Sequence, residues 1–264
     1  MQSNQSLIHS IIFAASRAGS FQLDSVRKLQ KSDVVSKGLN DFVSFVDKQS
    51  ESMLIDDLSK IIPGSSFLAE ESGEKNTGSE WTWIVDPLDG TTNYIHGIPL
   101  FSVSIGLLKN GKLFAGVVHE PNLNETFHAV KSEGAFLNGN PIKVTNTGAM
   151  KDSLWATGFP YHDFDKINEY MEFIQYSIRH THGLRRLGSA AVDLVYTAAG
   201  RIDGFFEFGL NPWDVAAGAL IVQEAGGVVT DFAGGDGFVF NREIIACNPE
   251  LYKEFFEKFR EIYF

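Results

Sequence analysis

The spacing of apolar residues changes several times along the chain. Leu7, Ile8, Ile11, Ile12 and Ala15 recur at helical spacing, which predicts an amphipathic helix over residues 4–18. A second helix is expected from about Asp47 to Ile62, with Asp47 as its N-cap and Pro63-Gly64 as its stop. The period then shortens. Residues 66–69 read as a strand ending at Glu70-Glu71, and residues 81–85 as another ending at Asp86. Residues 101–108 and 112–119 flank Asn110-Gly111, a hairpin signal. Residues 125–130 continue as a third antiparallel strand, with turns at Gly134 and Asn138-Gly139.

Composition shifts near residues 145–151, where a boundary between two lobes is placed. The expectation is one domain over 1–264, with an N-terminal lobe of 1–147 and a C-terminal lobe of 148–264. In the second lobe strands and helices alternate. Residues 153–157 and 203–208 read as strands, and 165–180 and 189–199 as helices, the latter closed by Gly200. Pro212 opens a helix that ends at Gly226, and Asn248-Pro249 opens a C-terminal one. This predicts a mixed α/β protein of layered sheets and helices. Its carboxylates fall at strand ends, where such folds place ligands.

Composition narrows the functional classes. The chain has 264 residues, 44% hydrophobic and 21% charged, with 22 Phe, enough for a sizeable core. A net charge of -11 disfavours general binding to nucleic acid phosphates. The single cysteine, Cys247, allows neither an internal disulfide nor a Cys-based zinc site, and it fits a reducing compartment. Residues 11–15 are too short for a signal segment and lack a basic lead-in. No run approaches the roughly 20 apolar residues that span a bilayer. A soluble cytoplasmic protein is expected.

Three acidic places stand out: Glu70-Glu71, the pair Asp86 and Asp89, and Asp214 in Pro212-Trp213-Asp214. Each alone is ordinary at a strand end or helix start, and Asp214 could simply complement a helix dipole. Converging in one place, they would repel one another and hold their protons unless a cation sat between them. A hard divalent ion suits oxygen ligands, and Mg²⁺ suits few carboxylates, several waters and a phosphate. Gly90-Thr91-Thr92 follows directly and offers consecutive backbone N–H groups to a phosphate.

Ala69-Glu70-Glu71-Ser72, Trp83-Ile84-Val85-Asp86-Pro87-Leu88-Asp89-Gly90-Thr91-Thr92-Asn93 and Trp213-Asp214-Val215-Ala216-Ala217-Gly218 resemble the three signatures of the inositol monophosphatase family. Its members are Mg²⁺-dependent, lithium-sensitive phosphomonoesterases. The likeness extends to Glu224-Ala225-Gly226-Gly227, and residues 185–194 with Phe206-Glu207 are most similar to bacterial members of the extragenic-suppressor type. The resemblance implies a layered αβαβα sandwich of the inositol monophosphatase and fructose-1,6-bisphosphatase kind, two to three Mg²⁺ ions and a homodimer.

It also implies roles. Glu70, Asp86, the Leu88 carbonyl, Asp89 and Asp214 would ligate metal. Thr91, with Asp47 behind it, would orient the attacking water together with Glu70. Asp89, Gly90, Thr91 and Asp214 would surround the phosphate, while Gly188, Ser189, Ala190 and Glu207 would meet the alcohol. Lys37 lies near a family position that carries a lysine close to the active site. The implied reaction is hydrolysis of myo-inositol 1-phosphate, or a similar polyol or sugar phosphate, by metal-activated water. The same chemistry on fructose 1,6-bisphosphate, histidinol phosphate or a nucleotide 3′-phosphate stays open, since Glu207 alone speaks to the alcohol.

An aspartyl-nucleophile phosphatase needs Asp-x-Asp, which Asp86 and Asp89 do not provide, and neither a P-loop nor a G-x-S-x-G elbow is present. A reading of another class is a regulatory partner of the transcription machinery, as the resemblance suggests for some bacterial relatives. Arg179, Arg185 and Arg186 could serve such a partner, a dimer interface, the phosphate's surroundings or solvent alone. His180 and His182 are expected to be structural, His96 a turn residue and Cys247 a buried small hydrophobe. Gly234-Gly235-Asp236-Gly237 reads as a turn, and Phe205, Phe206 and Phe208 as core and cavity wall.

Overall fold

The computed structural model describes residues 3–26, 34–38, 41–160 and 164–264. The chain opens with helix α1 (Asn4–Val26), which continues past the expected end because Ala18, Gln22 and Ser25 remain buried. A hairpin of β1 (Val34–Gly38) and β2 (Asp41–Ser44) leads into α2 (Phe45–Ile61). The N-cap of α2 is Ser44, not Asp47. Asp47 is the N3 residue of a capping box, its Oδ2 accepting from the Ser44 backbone N–H at 2.8 Å. Such a box satisfies two orphan helix donors, and losing its cap costs about 1 kcal/mol.

Strands β3 (Ser66–Ala69), β4 (Gly73–Lys75) and β5 (Trp81–Asp89) follow, then a short helix α3 (Thr91–Ile95). Next come β6 (Ser102–Lys109), β7 (Lys112–Glu120), β8 (Glu125–Val130), β9 (Ala135–Leu137) and β10 (Asn140–Ile142). The later half holds β11 (Leu154–Thr157), α4 (Ile167–His180), β12 (Gly183–Arg185), α5 (Ala190–Ala198) and β13 (Gly204–Phe208). It ends with α6 (Pro212–Glu224), β14 (Val228–Thr230), β15 (Glu243–Cys247) and α7 (Pro249–Tyr263). One sheet has eight strands in the order β10-β9-β8-β7-β6-β5-β3-β4, and another has five in the order β12-β11-β13-β15-β14. The Asn110-Gly111 turn between β6 and β7 takes positive φ at both residues, which fits the twist of a two-residue hairpin.

Side-chain alternation sorts these pieces into layers. On β5, Trp83 and Val85 pack against Leu7, Ile11 and Leu54 of α1 and α2, while Ile84 faces the opposite way. There it joins Leu194, Val215 and Ile221 of α5 and α6, together with Phe205 and Ile244 of the five-stranded sheet. On the far face of that sheet Phe206, Ile245 and Cys247 pack with Phe173, Phe255 and Phe259 of α4 and α7. The sequence of layers is helix, sheet, helix, sheet, helix. Phe205, Phe206 and Phe208 are all core and none lines the cavity described below.

Helix α6 lies between the sheets, and every residue from Val215 to Val222 is buried. It approaches the large sheet closely where that sheet carries glycine. A Cβ on Gly116 would lie 2.7 Å from the Ala217 carbonyl oxygen and 3.0 Å from its Cα. This contact fixes the height of α6, and with it Asp214 in the helix's first turn. Among the described residues no helix is long and apolar enough to cross a membrane.

Candidate active site

A break in β5 determines what its carboxylates face. Asp86 pairs with Ser104 and Asp89 with Ser102, so three steps along β5 oppose two along β6. This is a one-residue bulge at Pro87-Leu88, a place that tolerates a proline without a ladder N–H. Without the bulge, Asp89 would point with Val85 toward α1 and α2. With it, Asp86 and Asp89 both face α5 and α6. The loop is braced from below: the Gln22 amide donates to the Pro87 carbonyl at 2.6 Å, and the Leu88 N–H donates to Asp86 Oδ1 at 2.9 Å.

Asp214 arrives from the other side by helix-capping geometry. It is N3 of α6, and its Oδ2 accepts from the Asn211 N–H at 2.7 Å. Asp86, Asp89 and Asp214 each present a carboxylate oxygen within 4.8 Å of the others, an arrangement able to hold a metal ion. Glu70, at the end of β3, lines the same cavity of about 400 Å³, with its carboxyl hydrogen-bonded to that of Asp86. Glu71 is not among the lining residues; its N–H donates to Glu51 at 2.8 Å.

The turn after Asp89 forms the cavity floor. Gly90 takes φ +94 as the N-cap of α3, and Gly90, Thr91 and Thr92 all line the cavity. Thr91 Oγ1 lies 3.0 Å from the Leu88 carbonyl and 3.1 Å from Asp47 Oδ1. Asp47 sits behind the wall, fully buried and clamped by Ser44. The segment 188–190 lines the other side. Asn93 ties that segment to the turn by donating to the Leu100 and Leu187 carbonyls. The Ser189 hydroxyl and the Ala191 N–H both donate to Asp89 Oδ2, so part of this segment serves the carboxylate. Glu207 lines the cavity from the end of β13.

Burial, with Glu70, Asp89 and Asp214 nearby, pushes the Asp86 carboxyl well above the usual range. Burial raises Asp214 to about 8, and Asp89 adds to this. Asp89 rises only to about 6, because Ser189, Ala191, Ala190 and Arg186 oppose its burial. Glu207 is raised to about 8 by burial, against the pull of Arg186.

Between the unfolded carboxylate range near 3.8 and these raised values, the folded protein binds more protons than the unfolded one. Metal-free protein should therefore lose thermal stability as pH rises from about 4 to about 8. Added Mg²⁺ should raise the melting temperature more at pH 8 than at pH 5.5, because fewer protons then compete for the carboxylates. Melting curves at several pH values, with and without Mg²⁺, check this; a Mg²⁺ shift independent of pH would contradict it.

The sequence matches the inositol monophosphatase family over residues 4–263. This chain belongs to the inositol monophosphatase family. It is 40% identical over 256 residues to Nus factor SuhB of Escherichia coli (strain K12), covering 97% of this chain and 96% of that protein. Its structure is similar to that of extragenic suppressor protein suhB from Bartonella henselae, with a TM-score of 0.91, 40% identity, and coverage of 96% and 98% of the two chains. It is similar also to inositol monophosphatase from Anabaena (Nostoc) sp. PCC 7120, with a TM-score of 0.86, 36% identity, and coverage of 98% and 96%.

Several cavity residues of this family member carried no signal in the sequence. Phe159, Asn211 and Arg242 all line it, and none lies in a recognisable motif. Arg186 also lines it, while Arg185 is not among the lining residues. Asp193 is buried on α5, raised well above the usual range by burial and by Glu207 and Asp89, with one oxygen unpaired. His180 stacks on Tyr176 and bonds its carbonyl at 2.7 Å. His96 caps α3 on the surface. Cys247 is a free, buried thiol. Lys37 is on β1, and its side chain lies outside the described residues.

Proposed function

We propose that the protein is a Mg²⁺-dependent phosphomonoesterase that hydrolyses myo-inositol 1-phosphate, or a similar polyol or sugar phosphate, to the alcohol and inorganic phosphate. The convergence of Asp86, Asp89 and Asp214 beside the Gly90-Thr91-Thr92 turn carries this reading. The donor set is all oxygen, buried at Asp86 and Asp89 and half-buried at Asp214, and mutually repelling, which suits a hard divalent cation.

Glu70, Asp86, the Leu88 carbonyl, Asp89 and Asp214 would hold two to three Mg²⁺ ions. Bound there, Mg²⁺ supplies charge neutralisation at the phosphoryl and leaving oxygens and makes water more acidic. The chain does the positioning. The Gly90 and Thr91 N–H groups receive phosphoryl oxygens, whose charge grows in the transition state. Thr91 Oγ1 donates to Asp47 or to Leu88, which leaves its oxygen lone pairs free to accept a hydrogen bond from water and so orient it. Glu70 orients the same water from the other side. Glu207 accepts from hydroxyls of the alcohol, and Gly188, Ser189 and Ala190 wall that half. Lithium sensitivity, a homodimer and a cytoplasmic location complete the reading.

Phosphate release from sugar, polyol, histidinol and nucleotide monoesters with Mg²⁺ tests it. Release is expected from inositol 1-phosphate and to be absent with excess chelator. No release from any ester in the panel would sink the proposal.

The naming of the Escherichia coli relative as a Nus factor favours a second role, as a partner of the transcription machinery. The two roles are compatible, since the acidic cluster is intact. Pull-down of tagged protein should then co-elute elongation factors. Elution of the protein without them would remove this second role.

A further inference from the structure

A second guanidinium, that of Arg242, lines the cavity. The antiparallel register of β13 against β15 pairs Phe208 with Glu243, which brings Arg242 beside Gly209. The Gly209 and Leu210 N–H groups donate to the Arg242 carbonyl at 2.8 and 3.1 Å. Its guanidinium donates from Nη1 to Asn211 Oδ1 at 3.0 Å and from Nη2 to the Gly209 carbonyl at 3.1 Å. Both acceptors are neutral. A guanidinium has five N–H donors, so donors and charge remain after these two bonds. Asn211 is the N-cap of α6, and Asp214 is its N3 residue. The guanidinium is therefore tied to the N-cap residue of the helix whose first turn carries Asp214, on the rim of the same cavity.

The backbone at Arg242 is also unusual. It takes φ +64, a left-handed conformation that glycine or asparagine adopts with less strain. A long cationic side chain is held at a position that favours a small one. Arg186 stands in a different relation to the cavity, acting on the buried carboxyls of Asp89, Asp193 and Glu207.

The geometry points to Arg242 as the reader of a second oxyanion, so that the preferred substrate is a phosphomonoester whose alcohol half carries a further phosphate or carboxylate. This rests on the phosphatase reading above. The scissile phosphoryl group sits at the acidic cluster, and the second anion meets the Arg242 fork by charge-assisted hydrogen bonds.

The test is kcat/KM on two matched pairs: fructose 1,6-bisphosphate against fructose 1-phosphate, and 2-phosphoglycerate against glycerol 2-phosphate. Wild type is expected to prefer the member that carries the second anion in at least one pair, and that pair tells phosphate from carboxylate. Arg242→Gly, which relieves the positive φ, should lose on the order of tenfold on that member, through KM, and little on the partner that lacks the second anion. Arg242→Lys keeps the charge but not the fork and should recover only part. Equal losses on all four esters, or no preference in wild type, would overturn the inference while the phosphatase reading stands. No phosphate release from any of the four by wild type that still hydrolyses inositol 1-phosphate would overturn the inference alone; no release from inositol 1-phosphate either would overturn both.

Discussion

Asp86→Asn is expected to stop Mg²⁺-dependent phosphate release and to make the metal-free protein more stable. The two effects share one cause. Asp86 is almost fully buried, beside Glu70, Asp89 and Asp214, and its charged form is strongly disfavoured without a cation. Asparagine keeps the size and one acceptor, so the bond from the Leu88 N–H can survive. The charge that would face Mg²⁺ is gone. Stabilisation of several kcal/mol by the cation is at stake, which is about a thousandfold in rate or more. Phosphate-release assays read the loss, and melting of chelated protein at pH 8 reads the gain. Full residual turnover would contradict the assignment of Asp86, and a marked loss of melting temperature would contradict the repulsion.

Gly116→Ala is expected to damage fold and site together, although it lies away from the cavity. The new methyl would meet the Ala217 carbonyl oxygen at 2.7 Å, and backbone cannot move aside as a side-chain tip can. Overpacking of this kind costs about 1–3 kcal/mol. Relief requires α6 to lift from the sheet, and α6 carries Asp214. Urea denaturation should show a lower midpoint with little change in slope. Mg²⁺ affinity should fall in the portion still folded. Wild-type stability in this variant would refute the close contact as the device that sets the position of α6.

How far the sequence could be read depended on whether a feature was local. The helices with caps and the Asn-Gly hairpin were legible because their signals lie within a few residues. Acidic residues at strand ends pointed to a shared site, and the turn after Asp89 pointed to phosphate. Helix α6 was recognised from Pro212 and Gly226, but its place between two sheets was not, since burial on all sides leaves no amphipathic stripe. Strands β9, β10, β12 and β14 are three residues each and give too little alternation to register. Asp47 was placed three residues too early in the cap, because Ser44 and Asp47 are both good N-terminal residues and only the backbone decides between them. The bulge that turns Asp89 inward, and the register that brings Arg242 to the cavity, depend on pairing between strands distant in the chain.

Calorimetric titration of Mg²⁺ into chelator-treated protein, with and without inorganic phosphate, tests the central claim most directly. Binding of two to three ions, strengthened by phosphate, is expected, with the loss of at least one ion in Asp214→Asn. Wild-type protein that takes up no Mg²⁺, or an Asp214→Asn variant that binds it as wild type does, would contradict it.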